Sequence, residues 1–352
     1  MTLNDPLARS PARHTVTLSL FVVALLIVGG VAVAGTATYY ALRTANTSGH
    51  TVTPTNTTHP LPPKDLNLTD DLGRSVVVPY DPARVVVLSP SIMDIMFRLG
   101  LRSHVVGVDC YAAADGGLSE DYSPDQVSNW SLSSSMCVQI GPSFAPDMLV
   151  NLTPDLVLAS TIVSVAEVET ISSTLGIPVV MLQPPTLSGI LVDVSLVGEI
   201  FNVSTVASSL NAKLSLELYN VTEIDSNLTS LPTVLVTYDA DANGYWTYGP
   251  GAFGESLIEF AGATNIGANA TYPYPELSPA QVLVSNPSLI VYGVGFGLTE
   301  STYAAGPLWS DFSAVQNGNV TGIDSNWLTE PDPTMILAGI PALVHAFHPN
   351  LS

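Results

Sequence analysis

Two stretches of the 352-residue chain share one local plan: Pro146-Asp-Met-Leu-Val-Asn-Leu-Thr-Pro154-Asp-Leu-Val-Leu158 and Pro279-Ala-Gln-Val-Leu-Val-Ser-Asn-Pro287-Ser-Leu-Ile-Val291. Each opens with a proline suited to the first turn of a helix, stops at a second proline, and runs on into a short apolar strand. The same helix-stop-strand unit far apart in one chain predicts two lobes of related construction. The length suits that plan, because single hydrophobic cores rarely grow beyond ~250–300 residues.

Around the first copy the alternation continues. Arg84–Leu88 reads as a buried strand, Ser89–Ser91 as a turn, and Ile92, Ile95, Met96 and Leu99 as the apolar face of a helix ending at Gly100. Strands follow at Val105–Val108, Leu156–Ala159 and Pro178–Leu182, with a helix before Pro154 and another ending at Leu175-Gly176. The pattern predicts an α/β protein whose lobes are each a mostly parallel sheet flanked by helices. Between the lobes, Val206, Leu210, Leu214 and Leu218 recur at i+4 and predict a long helix beginning after Asn202 and fraying near Leu228. The second lobe opens with strands at Thr233–Tyr238 and Gly244–Tyr248, joined at Asn243-Gly244 by a type I′ turn, and closes with a helix over Thr334–Phe347. The expected organisation is a cytoplasmic tail at 1–14, an anchor at 15–37, a stalk at 38–64, an N-terminal lobe at 65–185, an inter-lobe helical spine at 186–230 and a C-terminal lobe at 231–352.

The anchor follows from Val16–Ala34, an uncharged and mostly aliphatic run long enough to cross a bilayer core of about 30 Å. Arg9 and Arg13 ahead of it place the N-terminus in the cytoplasm and everything beyond about Tyr40 outside. A signal peptide is the other reading, but the run is longer than the usual apolar region of about 7–15 residues, which favours an uncleaved transmembrane helix. No cysteine stands directly after the run, which argues against lipoprotein processing. Thr, Asn and Pro dominate 44–64 and predict an extended stalk. Asn-x-Ser/Thr triplets lie at Asn46, Asn56, Asn67, Asn129, Asn151, Asn202, Asn220, Asn227, Asn269, Asn319 and Asn350, all beyond the anchor, in keeping with an exported glycoprotein. Cys110 and Cys137 are the only cysteines, and on the oxidising side they are expected to form a disulfide.

Thirty acidic residues against nine Lys and Arg give a formal charge of −21 and leave no basic footprint for nucleic acid. Charged residues are only 11% of the chain, a surface suited to a medium acid enough to protonate carboxylates, near about pH 4. Past the stalk the basic residues are Arg74, Arg84, Arg98, Arg102 and Lys213, all before the second lobe. A trianionic ferric catecholate would therefore lack a cationic clamp, and neutral or cationic chelates are favoured.

Asp71-Leu-Gly-Arg74, Pro82-Ala-Arg84 with its Val run, Leu99-Gly100, Val106-Gly-Val108, Leu152-Thr-Pro154-Asp155, Leu175-Gly-Ile-Pro-Val-Val180, Gly249-Pro-Gly-Ala-Phe253, Gly262-Ala-Thr-Asn-Ile266, Leu308-Trp309, Ala314-Val-Gln-Asn-Gly318 and His348-Pro349 occur in order along the ectodomain. Together they resemble the helical-backbone class of periplasmic binding proteins, which serve importers of iron-siderophores, haem and cobalamin. The resemblance implies two lobes on a rigid helix, a cleft at the strand ends, and partners in an ABC permease and its ATPase. Receptors of this kind dock through one Glu per lobe. Asp147 occupies the first such position; the second is Ala280, so that either Glu276 stands in for it on the second lobe or the docking is asymmetric. Resemblance to cobalamin receptors puts ligand-contacting aromatics at Tyr111, Tyr274 and Trp327, while Glu330 stands where an Arg often lies.

The residues themselves point the same way. Tyr111, Trp130, Tyr245, Trp246, Tyr248, Tyr274, Phe296 and Trp327 fall at loops or strand ends rather than at helical core spacing, where large rings with polar tips suit a flat chelate or macrocycle. About half of these rings are expected to be structural. The ligand-binding set is Ser91, Tyr111, Trp130, Ser160, Tyr248, Tyr274, Phe296 and Trp327. Gly249-Pro-Gly-Ala-Phe-Gly254 fits a dinucleotide fingerprint, but Glu255 at the following helix start would repel phosphate. Asp239-Ala-Asp-Ala-Asn-Gly244 begins like a calcium loop and has Pro250 where the bidentate Glu is needed. His104, His345 and His348 fall at no cleft loop, so no direct metal site is expected. No nucleophile elbow or Cys-His pairing supports an enzyme. The expectation is a single-pass cell-membrane receptor, its binding domain extracellular, carrying an iron chelate or corrinoid and no covalent cofactor. The alternatives are a haem or iron-chelate scavenger without an importer, an extracellular chelatase-like enzyme on the same fold, and a structural envelope glycoprotein.

Overall fold

The computed structural model describes residues 65–110, 136–225, 228, 230–295, 297–350. The expected tail, anchor and stalk, together with Tyr111, Trp130 and Phe296, lie outside the described residues. Among the described residues no helix is long and apolar enough to cross a membrane.

The described chain opens with an antiparallel hairpin, β1 (Asp65–Thr69) and β2 (Ser75–Pro79). It then alternates as β3 (Val85–Leu88), α1 (Pro90–Arg98), β4 (Val105–Asp109), β5 (Cys137–Val138), α2 (Pro146–Leu152), β6 (Leu156–Ala159), α3 (Val165–Glu169) and β7 (Val179–Met181). These strands form one sheet in the order β5-β4-β3-β6-β7, and every pairing is parallel. All four residues of β3 and of β6 are buried, since helices cover both faces of a parallel sheet. The core around them is aliphatic, with Val86, Leu88, Leu149, Val157, Ile171 and Met181 among its members.

Two helices follow, α4 (Leu187–Ile200) and α5 (Ser204–Asp225). They pack against each other: Asn211 Nδ2 donates to the Leu191 carbonyl at 2.8 Å, and a Cβ on Gly198 would lie 2.4 Å from that of Ala207. The predicted spine helix is present, but its buried stripe is Ala207, Leu210, Leu214, Leu218 and Val221, and Val206 is 44% exposed. A strict i+4 series drifts about 40° per step around a 3.6-residue helix, which carries Val206 off the face that its successors bury.

The second sheet comprises β8 (Thr233–Ala240), β9 (Tyr245–Thr247), β10 (Thr264–Asn265), β11 (Glu276–Leu277), β12 (Leu289–Val294) and β13 (Val320–Asp324). Its helices include α6 (Phe253–Phe260), α7 (Pro279–Ser285), α8 (Glu300–Ala304), α9 (Asn326–Thr329) and α10 (Ile340–Phe347), the last reached through a π turn at Met335–Gly339. The order is β11-β9-β8-β12-β13, with β10 beside β8. Pairings from β8 through β13 are parallel, while the β8-β9-β11 arm is antiparallel, so this sheet is mixed.

The repeated unit is present twice. α2 and α7 each begin at a proline and end on a left-handed residue, Thr153 at φ 44° and Asn286 at φ 46°, before β6 and β12 respectively. Two local expectations are corrected. Ser89–Ser91 is not a turn ahead of the helix: Pro90 begins α1 and Ser91 lies inside it, because proline's fixed φ and missing N–H fit the first helical turn. The β8-β9 connection is not type I′, since neither Asn243 nor Gly244 has positive φ. Asp241 instead accepts from the Asn243 N–H at 2.6 Å, an Asx turn. Gly244 is required there by space, as a Cβ would lie 2.3 Å from the Leu277 oxygen.

Candidate functional site

The carboxyl ends of β3 and β4 deliver Ser89, Ser91 and Asp109, all buried. The Ser89 and Ser91 hydroxyls lie 2.7 Å apart. In the second lobe β13 ends at Asp324, and the chain turns through α9 to Glu330. The Glu330 carboxyl reaches the Ser91 N–H and hydroxyl and feels the charge of Asp109; burial first, then Asp109, raises its pKa from 4.5 to about 7. The strand ends of the two lobes therefore meet at this segment.

Just beyond, Asp94 on α1 accepts from Arg98 Nε at 2.7 Å, from the Thr334 N–H at 2.9 Å and from the Thr334 hydroxyl at 3.0 Å. Arg98 Nη2 also donates to Thr334 Oγ1 at 2.7 Å. Asp332 accepts from the Met335 N–H at 2.8 Å, and burial, reinforced by Asp94, pushes its pKa well above the usual carboxylate range.

Three tyrosines stand on the second-lobe side. Tyr248 lies 5.0 Å from Tyr238 and 6.5 Å from Tyr274 between ring centroids, and Tyr238 is 6.4 Å from Tyr274. Tyr248 is buried, and its hydroxyl donates to the Leu328 carbonyl at 3.1 Å, tying the group to the same α9 segment. Gly254 leaves room for this ring, since a Cβ there would lie 2.4 Å from it, and Gly249 lets its backbone approach the Tyr272 oxygen. Of the fingerprint-like glycines, Gly254 thus serves ring packing and Gly249 a close backbone approach. Tyr274 is 54% exposed and Tyr272 is 62% exposed, so the buried rings support an open aromatic surface.

Each of the four arginines among the described residues is engaged by the fold. Arg74 pairs with Asp70 at 2.5 Å, Arg84 donates to the Leu152 and Thr153 carbonyls, Arg98 holds Asp94 and Thr334, and Arg102 donates to the Val105 carbonyl. Two histidines are occupied structurally as well: His104 Nδ1 lies 2.8 Å from the Pro82 oxygen and His348 Nε2 lies 3.0 Å from the Gly262 oxygen. Among the described residues no group of three or more His, Cys, Asp or Glu is arranged to hold a metal ion.

Of the expected ligand set, Ser91 is brought to the meeting of the lobes, and Tyr248 and Tyr274 are brought together. Ser160 is buried at the end of β6, and Trp327 on α9 is half-buried with its indole Nε1 without a hydrogen-bond partner. Tyr245, one of the loop-placed rings, is core: fully buried, it packs 5.8 Å from Trp309 and 5.5 Å from Phe312. Asp147 is exposed on the first turn of α2 and Ala280 on that of α7. Glu276 sits in β11 beside Asp241, and desolvation followed by that neighbour raises its pKa. Cys110 and Cys137 are joined, with Cα atoms 4.6 Å apart. Sequence reasoning missed Tyr238, read only as the end of a strand, the approach of Glu330 to Ser91 and Asp109, and that of Asp332 to Asp94. Only the Pro331-Asp-Pro333 flank of Asp332 signalled an unusual turn.

The family model described as "Periplasmic binding protein" matches residues 85–327. A curated "Cobalamin-binding protein" of Halobacterium salinarum is 28% identical over 289 residues, 79% of this chain and 73% of that protein. The periplasmic vitamin B12-binding protein of Vibrio cholerae has a TM-score of 0.60 at 22% identity, covering 76% of this chain and 98% of its own. A structure described as an ABC-type Fe3+-hydroxamate transport system from Saccharomonospora viridis has a TM-score of 0.65 at 19% identity, covering 80% and 99% respectively. At these identities the two structures establish the shared two-lobed fold.

Proposed function

Because this chain belongs to the periplasmic binding protein family, we propose that it is the substrate-binding protein of an ABC importer, capturing a corrinoid or related metal chelate between its lobes. Membership makes it an extracytoplasmic binding component and not an enzyme. The observation that carries the ligand class is the tyrosine group of Tyr238, Tyr248 and exposed Tyr274, in a protein whose four described arginines all bond to the fold. Aromatic faces with polar tips give a broad, partly apolar contact for a macrocycle. A strongly anionic chelate would lose hydration without gaining a cation, whereas a neutral or cationic one meets only hydroxyls, carboxyls and rings. The 28% identity to a cobalamin-binding protein favours a corrinoid over a ferric hydroxamate.

In this reading residues 15–37 anchor the protein and 38–64 space it from the membrane. Asp147, exposed on α2, and Glu276 face the permease. Trp327 and Ser160, with Tyr111, Trp130 and Phe296 beyond the described residues, complete the contact surface.

Calorimetry of the purified full-length protein in detergent against cobalamin, a ferric hydroxamate and haem tests the proposal. Saturable cobalamin binding, weakened at least ~10-fold by Tyr274→Ala through loss of one stacking surface, is expected. Saturable binding of none of the three by protein with intact circular dichroism would reject the chelate reading, and haem alone would favour the scavenger.

A further inference from the structure

Six Asn-x-Ser/Thr triplets lie wholly among the described residues, at Asn67, Asn151, Asn202, Asn220, Asn269 and Asn319, and the asparagine of each is exposed. The described asparagines outside any triplet are mixed: Asn243, Asn286 and Asn317 are exposed, Asn211 is half-buried, and Asn265 and Asn326 are buried. Exposure alone does not make an acceptor, because the triplet has to be presented as a surface loop whose amide and hydroxyl are free to be bound. The fold withholds that freedom from most of the six. Asn67 is paired with Val77 in the β1-β2 hairpin, Asn151 lies in α2 and Asn220 in α5. In the Asn220 triplet the Thr222 hydroxyl is spent on the Leu218 carbonyl at 2.7 Å. At Asn319 the very nitrogen to be modified is engaged, Nδ2 donating to the Ser288 carbonyl at 3.1 Å, and the backbone N–H and C=O bond Ala314 and Ile290.

Two triplets remain. Asn202 lies in the turn between α4 and α5 at φ 56°, and its Oδ1 accepts from the Tyr80 hydroxyl at 2.5 Å. That bond holds the carboxamide by its oxygen and leaves Nδ2 without a partner among the described residues. Asn269 lies in the loop from β10 to β11, on a run where Asn269, Thr271, Tyr272, Pro273 and Tyr274 are all exposed, and its side chain has no partner among the described residues. We propose that Asn202 and Asn269 are N-glycosylated, each receiving an oligosaccharide from a lipid-phosphate carrier while the chain is folded. Nδ2 bonds to C1 of the sugar and gives up one proton, while the bond from C1 to the carrier's phosphate oxygen breaks and its electron pair leaves with the phosphate. The Tyr80 contact survives this step, since only the nitrogen of Asn202 changes. The transfer belongs to the extracytoplasmic side, where family membership puts this chain. With charged residues only 11% of the chain, the sugars supply surface hydration that side-chain charge does not. At Asn269 the sugar shares an exposed run with Tyr272 and Tyr274, so carbohydrate borders the aromatic surface whatever ligand the lobes carry.

Peptide mass spectrometry of the full-length protein isolated from the cells that make it tests the assignment. No ligand is involved, so this inference and the binding reading fail separately. Cleavage after glutamate yields 200–217 with Asn202, 260–276 with Asn269, 218–223 with Asn220 and 301–330 with Asn319. The first two are expected to be heavier by one oligosaccharide each, placed on Asn202 and Asn269 by electron-transfer fragmentation, and the last two to have their unmodified masses. Thr271→Ala is expected to return 260–276 to its unmodified mass and Thr271→Ser to keep the sugar, with 200–217 modified in both variants. Unmodified 200–217 or 260–276 in the parent, sugar on Asn220 or Asn319, or sugar retained on Asn269 in Thr271→Ala would each overturn the assignment.

Discussion

The two copies of the helix-stop-strand unit place α2 before β6 and α7 before β12 in the same way, yet the lobes around them are chemically unlike. The first lobe has a wholly parallel sheet, an aliphatic core, all four of the described arginines and the disulfide. The second has a mixed sheet, no Lys or Arg, and a core centred on Tyr245, Tyr292, Tyr303, Trp309 and Phe312. Shared topology thus fixes where strand ends point, while the side chains decide what each lobe offers there. The first offers small hydroxyls and carboxyls, and the second adds rings to carboxyls of its own.

The difference in cores can be broken most directly. Phe312→Ala should destabilise the protein by about 3–5 kcal/mol, because a buried ring leaves a cavity its rigid aromatic neighbours cannot fill, whereas Ile171→Val in the first lobe should cost only about 0.5–1.5 kcal/mol. Urea denaturation of the two variants measures both. Replacing Cys110 and Cys137 by serine should cost roughly 3 kcal/mol by freeing the 27-residue loop in the unfolded chain, and should be felt in the first lobe's hydrogen-exchange protection before the second's.

A subtler contrast concerns protons. Asp193 on α4 is buried against Asp71, and its pKa is raised from 3.8 to about 8, chiefly by burial and then by that neighbour's charge. A group with a raised folded pKa stabilises fully below its unfolded value, and that stabilisation is lost as the pH climbs to the folded one. Thermal midpoints should therefore fall between pH 4 and pH 8, and Asp193→Asn should remove on the order of 2 kcal/mol of that slope. A midpoint that rises over this range would contradict the acid-adapted reading of the composition. The smallest effect sharpens the repeat itself. Thr153 is a β-branched residue in left-handed geometry where α7 has Asn286. Thr153→Asn should stabilise by up to ~1 kcal/mol, since asparagine tolerates that conformation better. The same change deletes the Asn151 acceptor triplet, so it is best read in unglycosylated protein.

Much of this was legible locally. A Val run flanked by Arg84 and Ser89 is buried on both sides and becomes a central strand, and Pro146 and Pro279 mark helix starts because proline has few other places to go. The α5 stripe was found but misphased at Val206, where a four-residue spacing imitates a helix of slightly wrong pitch. The hairpin turn was misjudged because Asn243-Gly244 suits several geometries, and the crowding of Leu277 against Gly244 comes from a strand more than thirty residues on. Within the site, Tyr274 and Tyr248 announced themselves as rings outside any helical period. Tyr245 announced itself in the same way and proved to be core, since only the fold brings Trp309 and Phe312 onto it. The Asp94-Thr334 contact bridges 240 positions, and nothing in the neighbourhood of either residue foretells the other.

The absence of Lys and Arg from the second lobe also governs how the molecule can be cut. Lys213 on α5 is the last basic residue of the chain. A protease that cleaves after lysine or arginine meets no site in the 139 residues beyond it, so even an unfolded second lobe would leave a digest as one intact fragment.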